Sequence, residues 1–349
     1  MRPTPRLTTL LLLTALSASA HAAPPLPALG AHSEAITVSG ISSGGYMAVQ
    51  FHVAHSSTVD GAGVLAGGPY ECAEGSTWRA LNNCMAPDAS YPVPDAGATV
   101  ARIDDDAAGG RIDPPAGLAA DRVWLLSGDA DTTVGRPVVD ALAALYQRWI
   151  DPSRIAYLKV PGAGHAMLSV DDPQANACAT SEPPFINDCG VDAAGALLAH
   201  LLGPLQAKAA QAAGALIEFD QRPFADAAGA LGLAGSGYAY VPTACRSGGC
   251  RVHVAFHGCR QSHDQIGTRF INGAGYNRWA ESNQLIVLYP QTLPRYGWTW
   301  DGWWPRWVFN PKACWDWWGY ENADYATRDG VQIKAVKAMV DQLGRPPAP

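Results

Sequence analysis

Charge is scarce in this sequence of 349 residues. Only 16% of it is Asp, Glu, Lys or Arg, and the 31 acids outnumber the 24 Lys and Arg. No basic cluster interrupts that balance, which argues against a nucleic-acid partner and leaves an acidic surface that favours solubility. Membrane-spanning runs are lacking too. The apolar core of the N-terminal segment, Leu7 to Leu16, is too short to cross a bilayer comfortably. It is preceded by Arg2 and Arg6 and followed by Ala20-His21-Ala22, the layout of a secretory signal peptide over residues 1–22, with an uncleaved anchor as the alternative. Also missing is any C-x-x-C spacing. The eight cysteines are therefore expected in disulfides rather than on zinc, which agrees with export, and no metal is expected. Spacing does not settle the connectivity. Sequential pairing, Cys72 with Cys84, Cys178 with Cys189, Cys245 with Cys250 and Cys259 with Cys314, is the expectation.

What is present begins with Gly40-Ile41-Ser42-Ser43-Gly44, directly behind the β-branched run Ile36-Thr37-Val38. A strand entering G-x-S-x-G and leaving into a helix is the nucleophile elbow of an α/β-hydrolase. The serine hydroxyl stands exposed on a sharp turn that crowds the positions two before and two after it, so glycine is needed at both. Ser42 is the expected nucleophile; the frame of Ser43 would put Ile41 where the first glycine belongs. Met47, Ala48 and Phe51 then recur at helical spacing, which predicts a helix over 44–56.

Strands are expected at 63–66, 122–126 and 155–160, and helices at 136–149 and 191–202, with a loop-rich excursion dense in Pro, Asp and Gly over 86–117. The alternation predicts a mostly parallel sheet with helices on both faces. The last third looks different: strands at 216–219 and 238–241 of antiparallel character, further strands at 251–256 and 285–289, and a final helix over 326–343. The first part thus carries the second half of an α/β-hydrolase and the latter part its first half. We read residues 23–349 as one catalytic domain, circularly permuted, with the Ala- and Gln-rich segment 204–215 as the stitch between the old ends. Two separate domains are the alternative, disfavoured because neither half has a complete sheet.

The acid of a triad should follow a later strand, and Leu126-Ser127-Gly128-Asp129-Ala130-Asp131 supplies it. Asp131 is favoured over Asp129. The run Asp104-Asp105-Asp106 follows no strand and reads as solvated carboxylates. The base is expected in Pro161-Gly162-Ala163-Gly164-His165, giving the chain order Ser42, Asp131, His165. His257 ends a strand in His-Gly-Cys, where this fold supplies a main-chain donor to the oxyanion hole; the amides of Ser43 and Cys259 are the expected donors. Eight of the twelve tryptophans lie between Trp298 and Trp318, in Gly- and Pro-punctuated sequence read as loops that could hold a weakly polar polymer or a sugar face.

The segments Ile-Thr-Val-Ser-Gly-Ile-Ser-Ser-Gly-Gly-Tyr-Met, Ser-Gly-Asp-Ala-Asp-Thr-Thr-Val, Gly-Ala-Gly-His, Ala-Phe-His-Gly-Cys-Arg-Gln and Asn-Pro-x-x-Cys-Trp-x-Trp-Trp resemble poly(3-hydroxybutyrate) depolymerases of the circularly permuted single-domain type. The resemblance runs from about residue 35 to 343. It implies a secreted serine esterase acting on short-chain polyhydroxyalkanoate through Ser42, Asp131 and His165, with no cofactor and with a tryptophan near Trp315 or Trp317 touching the polyester. Many extracellular relatives add a linker and a polymer-adhesion domain that this sequence lacks, which shifts the expected substrate towards amorphous polymer or soluble oligomers. A monomer is expected, with no partner beyond polyester or oligoester. The alternatives are a feruloyl or acetyl-xylan esterase on the same scaffold and, more distantly, a non-catalytic polymer- or sugar-binding protein.

Overall fold

A computed structural model describes residues 23–301 and 304–347. The signal peptide expected over residues 1–22 lies outside the described residues. The first strand, β1 (His32–Ile41), runs straight into helix α1 (Ser43–Ala54). Its inner stretch is fully covered, apolar Ile36 and Val38 alternating with Thr37 and Ser39, whose hydroxyls hydrogen-bond the buried His253 ring of the neighbouring strand. β2 (Val59–Leu65), β3 (Arg122–Gly128) and β4 (Ile155–Val160) follow on one side of it, each parallel to its neighbour. A small sheet of β5 (Met167–Leu168), β6 (Asn176–Ala177) and β7 (Ile186–Asp188) comes next.

The remaining strands of the main sheet come from the last third of the chain: β8 (Ala215–Asp220), β9 (Ser236–Val241), β10 (Arg251–Phe256) and β11 (Leu285–Tyr289). β10 pairs parallel with β1, so a single eight-stranded sheet, ordered β4-β3-β2-β1-β10-β11-β9-β8, draws on both halves. β9 is antiparallel to both β11 and β8. The permutation is visible where it should be. The final helix, Val331–Gly344, ends against the segment leading into β1: the amides of Leu29 and Ala31 donate to the Leu343 carbonyl, and that of Gly30 to Arg345. The stitch is tied down as well, with the Lys208 ammonium 2.7 Å from both Asp171 and Asp192. No helix among the described residues is long and apolar enough to cross a membrane.

Three local expectations need correction. The stretch read as loop over 86–117 contains a helix, α3 (Ala96–Ala108), capped by Asp95, after the shorter α2 (Thr77–Asn83). Its Ala- and Asp-rich sequence hides a narrow apolar side centred on Ile103. Asp106 on that helix is buried, accepting from the Tyr70 hydroxyl and from Arg111, so it is no solvated carboxylate. Two further helices flank the sheet, α4 (Arg136–Tyr146) and α5 (Ala193–Leu202). The first tryptophan-rich segment is an antiparallel ribbon of β12 (Arg295–Asp301) and β13 (Trp304–Asn310) rather than loop.

Candidate active site

The elbow at the end of β1 carries the strain its sequence foretells. Ser42 has φ 56° and ψ −124°, a left-handed backbone that costs a non-glycine residue about 1–3 kcal/mol. Glycine two residues away on either side makes it possible. A Cβ on Gly40 would stand 2.1 Å from the Gly44 carbonyl oxygen, and one on Gly44 would stand 2.3 Å from that of Phe256. The second contact matters most, because it lets the start of α1 press against the end of β10. The first amides of a helix have no intrahelical acceptor, so the N–H of Ser43 begins α1 without a helical partner.

His165 lies on the loop after β4, and its Nδ1 donates to Asp131 Oδ2 over 2.7 Å. Asp131 is itself fixed, since its other oxygen accepts from the amides of Thr133 and Val134 at 2.8 and 2.9 Å. That arrangement leaves Nε2 of His165 as the free ring nitrogen. Asp129, the rival acid, is exposed and accepts from the Gly162 amide, holding the histidine loop rather than the histidine ring. The loop is held from outside too: the His165 amide donates to Ser181 Oγ at 2.9 Å and the Gly164 amide to the Cys178 carbonyl, within the segment closed by the Cys178–Cys189 bridge.

Ser42 and His165 line one pocket of about 280 Å³, together with Cys259. The His257 ring is not part of that lining. It is fully buried, with Nδ1 donating to the Gly258 carbonyl at 2.8 Å and Nε2 accepting from the Thr292 amide at 3.3 Å. Burial lowers its pKa to about 4, so the ring is neutral and acts as a peg for the Gly258–Cys259 strap. The bridge Cys259–Cys314 ties that strap to the second tryptophan segment; the remaining bridges join Cys72 to Cys84 and Cys245 to Cys250.

The two tryptophans expected to touch substrate part ways. Trp317 lines the pocket, stacked on Tyr46 with ring centroids 4.1 Å apart. Trp315 does not line it. Its indole is wholly buried, edge-on to Phe256 at the end of β10 and 5.6 Å from the His257 ring, whereas Trp317 and Trp318 both face the pocket. Sequence reasoning missed much of the wall: Tyr46, Leu81 and Met85 from around α2, Phe185, and Trp318. Only the Cys72–Cys84 spacing hinted that the α2 segment is held to the body.

A permuted eight-stranded sheet with a serine elbow, an aspartate-bound histidine and a pocket between them defines an α/β-hydrolase. No protein-family model matches the chain. Relatives do: it is 43% identical to a poly(3-hydroxybutyrate) depolymerase of Delftia acidovorans over 93% of this chain and 63% of that protein. It is 36% identical to a polyhydroxybutyrate depolymerase of Talaromyces funiculosus over 95% of this chain and 96% of that one. The crystal structure of PHB depolymerase from Penicillium funiculosum superposes with a TM-score of 0.83 at 35% identity, covering 92% of this chain and all of that chain. A PHB depolymerase complexed with an R3HB trimer matches equally well. The chain belongs to the poly(3-hydroxybutyrate) depolymerase family. It spans 63% of the length of the Delftia relative.

Proposed function

We propose that residues 23–349 act as one secreted, monomeric catalytic domain that hydrolyses poly(3-hydroxybutyrate) or its oligomers. The observation that carries the reading is the shared pocket of Ser42 and His165 with Asp131 on the far ring nitrogen, in a member of this family. Nε2 of His165 takes the proton from Ser42 as its oxygen attacks the ester carbonyl. The amides of Ser43 and Cys259 stabilise the oxyanion, the alcohol-ended fragment departs with the proton, and water activated by the same imidazole releases the acid. Four disulfides support export. No observation favours the feruloyl or acetyl-xylan alternative over this one.

Solid polymer needs grip beyond the pocket, and the β12–β13 ribbon supports it. Tyr296, Trp298 and Trp300 alternate along one strand opposite Phe309, Trp307 and Pro305, which puts all six on one face. The five aromatic side chains are 54–74% exposed. The other face is anchored: Val308 is buried, and the Arg306 guanidinium donates to the carbonyls of Gly319, Tyr320 and Glu321.

The test is loss of turbidity from amorphous polyhydroxybutyrate granules, read alongside trimer hydrolysis. A folded preparation that cleaves simple esters and leaves both polymer and trimer intact would rule the reading out.

A further inference from the structure

We propose that Arg260 and Lys312 form a docking site for the terminal carboxylate of a short ester chain, on the side of the pocket that receives the leaving fragment. The proposal rests on the ester-hydrolase reading above and adds a preference for chain ends.

The charge around the pocket is the reverse of the charge of the chain. Acids outnumber bases overall, yet no Asp or Glu lines the pocket, and its two fixed charges are the cations of Arg260 and Lys312. They are neighbours through the backbone, the Arg260 amide donating to the Lys312 carbonyl over 2.7 Å. The Cys259–Cys314 bridge clamps the two loops together beside them. Among the described residues neither cation has a carboxylate within 4.0 Å.

Arg260 also sits on a left-handed backbone, with φ 63°. Glycine or asparagine would adopt that conformation at less cost, so the backbone gives no reason for an arginine. Its side chain has a direction instead. The guanidinium lies 5.7 Å from the centre of the Phe185 ring, another wall residue, and so reaches along the pocket rim rather than away from it.

Chemistry fixes which part of the substrate can meet these cations. A hydroxy-acid polyester has one hydroxyl end and one carboxylate end. When Ser42 attacks an internal ester carbonyl, the acyl part retained on the enzyme keeps the hydroxyl end. The departing alcohol keeps the carboxylate end, which is ionised at neutral pH. Only the leaving segment can therefore present an anion. A guanidinium fork with an ammonium beside it matches a carboxylate in shape and charge.

The experiment compares the 3-hydroxybutyrate trimer as free acid with its methyl ester. The free acid should have a kcat/KM about three- to five-fold higher at low salt, through KM, as expected for a charge-assisted contact to two exposed cations. About 0.5 M NaCl should remove most of that preference. The double variant Arg260→Asn with Lys312→Gln should bring the ratio close to one. Asparagine is chosen because it accepts the left-handed backbone and so preserves the fold; Arg260→Lys, which keeps the charge and loses the fork, should retain only part of the preference. An acid-to-ester ratio that is the same in the parent and the double variant overturns the proposal. Calorimetric titration of Ser42→Ala with each trimer reads the same preference without turnover. If the parent cleaves neither trimer, the hydrolase reading fails, while equal binding of the two trimers to Ser42→Ala overturns the carboxylate site separately.

Discussion

Two tryptophan-rich segments lie only a few residues apart and meet opposite fates. In the ribbon, Trp298, Trp300 and Trp307 stand more than half exposed. In the turn after Cys314, Trp315, Trp317 and Trp318 are all less than a tenth exposed. Composition does not separate them; their anchoring does. Each ribbon strand has one partner and the ribbon one covered face, so every second residue, the aromatic set, is left facing outwards. The turn is pinned by the Cys259–Cys314 bridge and by Asp316, whose carboxylate accepts from the amides of Tyr320 and Glu321. A bond-breaking site needs walls fixed to fractions of an ångström, whereas holding a disordered polymer needs area and little else. The turn offers the first and the ribbon the second.

The sharpest way to separate the two is to remove the nucleophile. Ser42→Ala should reduce ester cleavage by roughly 10⁴-fold or more and abolish fluorophosphonate labelling, while adsorption to a polyester film through the ribbon persists. Next in size is Trp315→Ala, which empties a fully buried site and should cost about 3–5 kcal/mol in urea unfolding. Trp298→Ala should change stability by no more than about 0.5 kcal/mol. A ribbon tryptophan as costly as Trp315 would break the comparison.

Trp317→Ala removes a pocket wall and should lower kcat/KM on trimer and film alike by about ten-fold, a loss of roughly 1–2 kcal/mol. The pair Trp298→Ser with Trp300→Ser should lower film hydrolysis far more than trimer hydrolysis. Phe309 at the end of β13 already lines the pocket, and equal losses on the two substrates would mean that Trp298 and Trp300 act there too.

The smallest effect concerns the joint between the segments. Glu321, whose carbonyl accepts from Arg306 of the ribbon, has both carboxyl oxygens shielded from water. Burial first, and the nearby Asp316 second, push its pKa up to about 8. Its native form therefore holds the proton more tightly than the unfolded chain does. Stability is greatest below the unfolded value of about 4.3 and falls as pH rises towards about 8. Glu321→Gln should remove that fall, so its advantage in Tm over the parent should widen between about pH 5 and pH 8.

The elements that were legible in the sequence are those set by short-range rules. The elbow shows because one turn demands glycine at two fixed places, and His165 shows because small residues surround it after a strand. The swap of two halves was legible in the pattern of elements, whereas the order of strands across the sheet came only from the structure. The ribbon was missed although its signal was there: Tyr296, Trp298 and Trp300 alternate strictly, but the glycines and proline between the rings suggested loop. α3 was missed because its buried side is little more than Thr99, Ile103 and Asp106. Leu81, Met85 and Phe185 reach the pocket only through tertiary folding, which no local pattern records. Trp315 and Trp317 are indistinguishable in sequence; a turn's direction decides which one sees the pocket.

The pairing of β1 with β10 has a consequence for biosynthesis. The serine elbow leaves the ribosome early, whereas the strap at Gly258 and Cys259 emerges more than half the chain later. Until that segment is made, β1 has only β2 to pair with, and β10 cannot cover its other edge. On the proposed mechanism, a truncated or stalled product that lacks the second half should be inert towards esters, because the Gly258–Cys259 wall of the pocket would be absent.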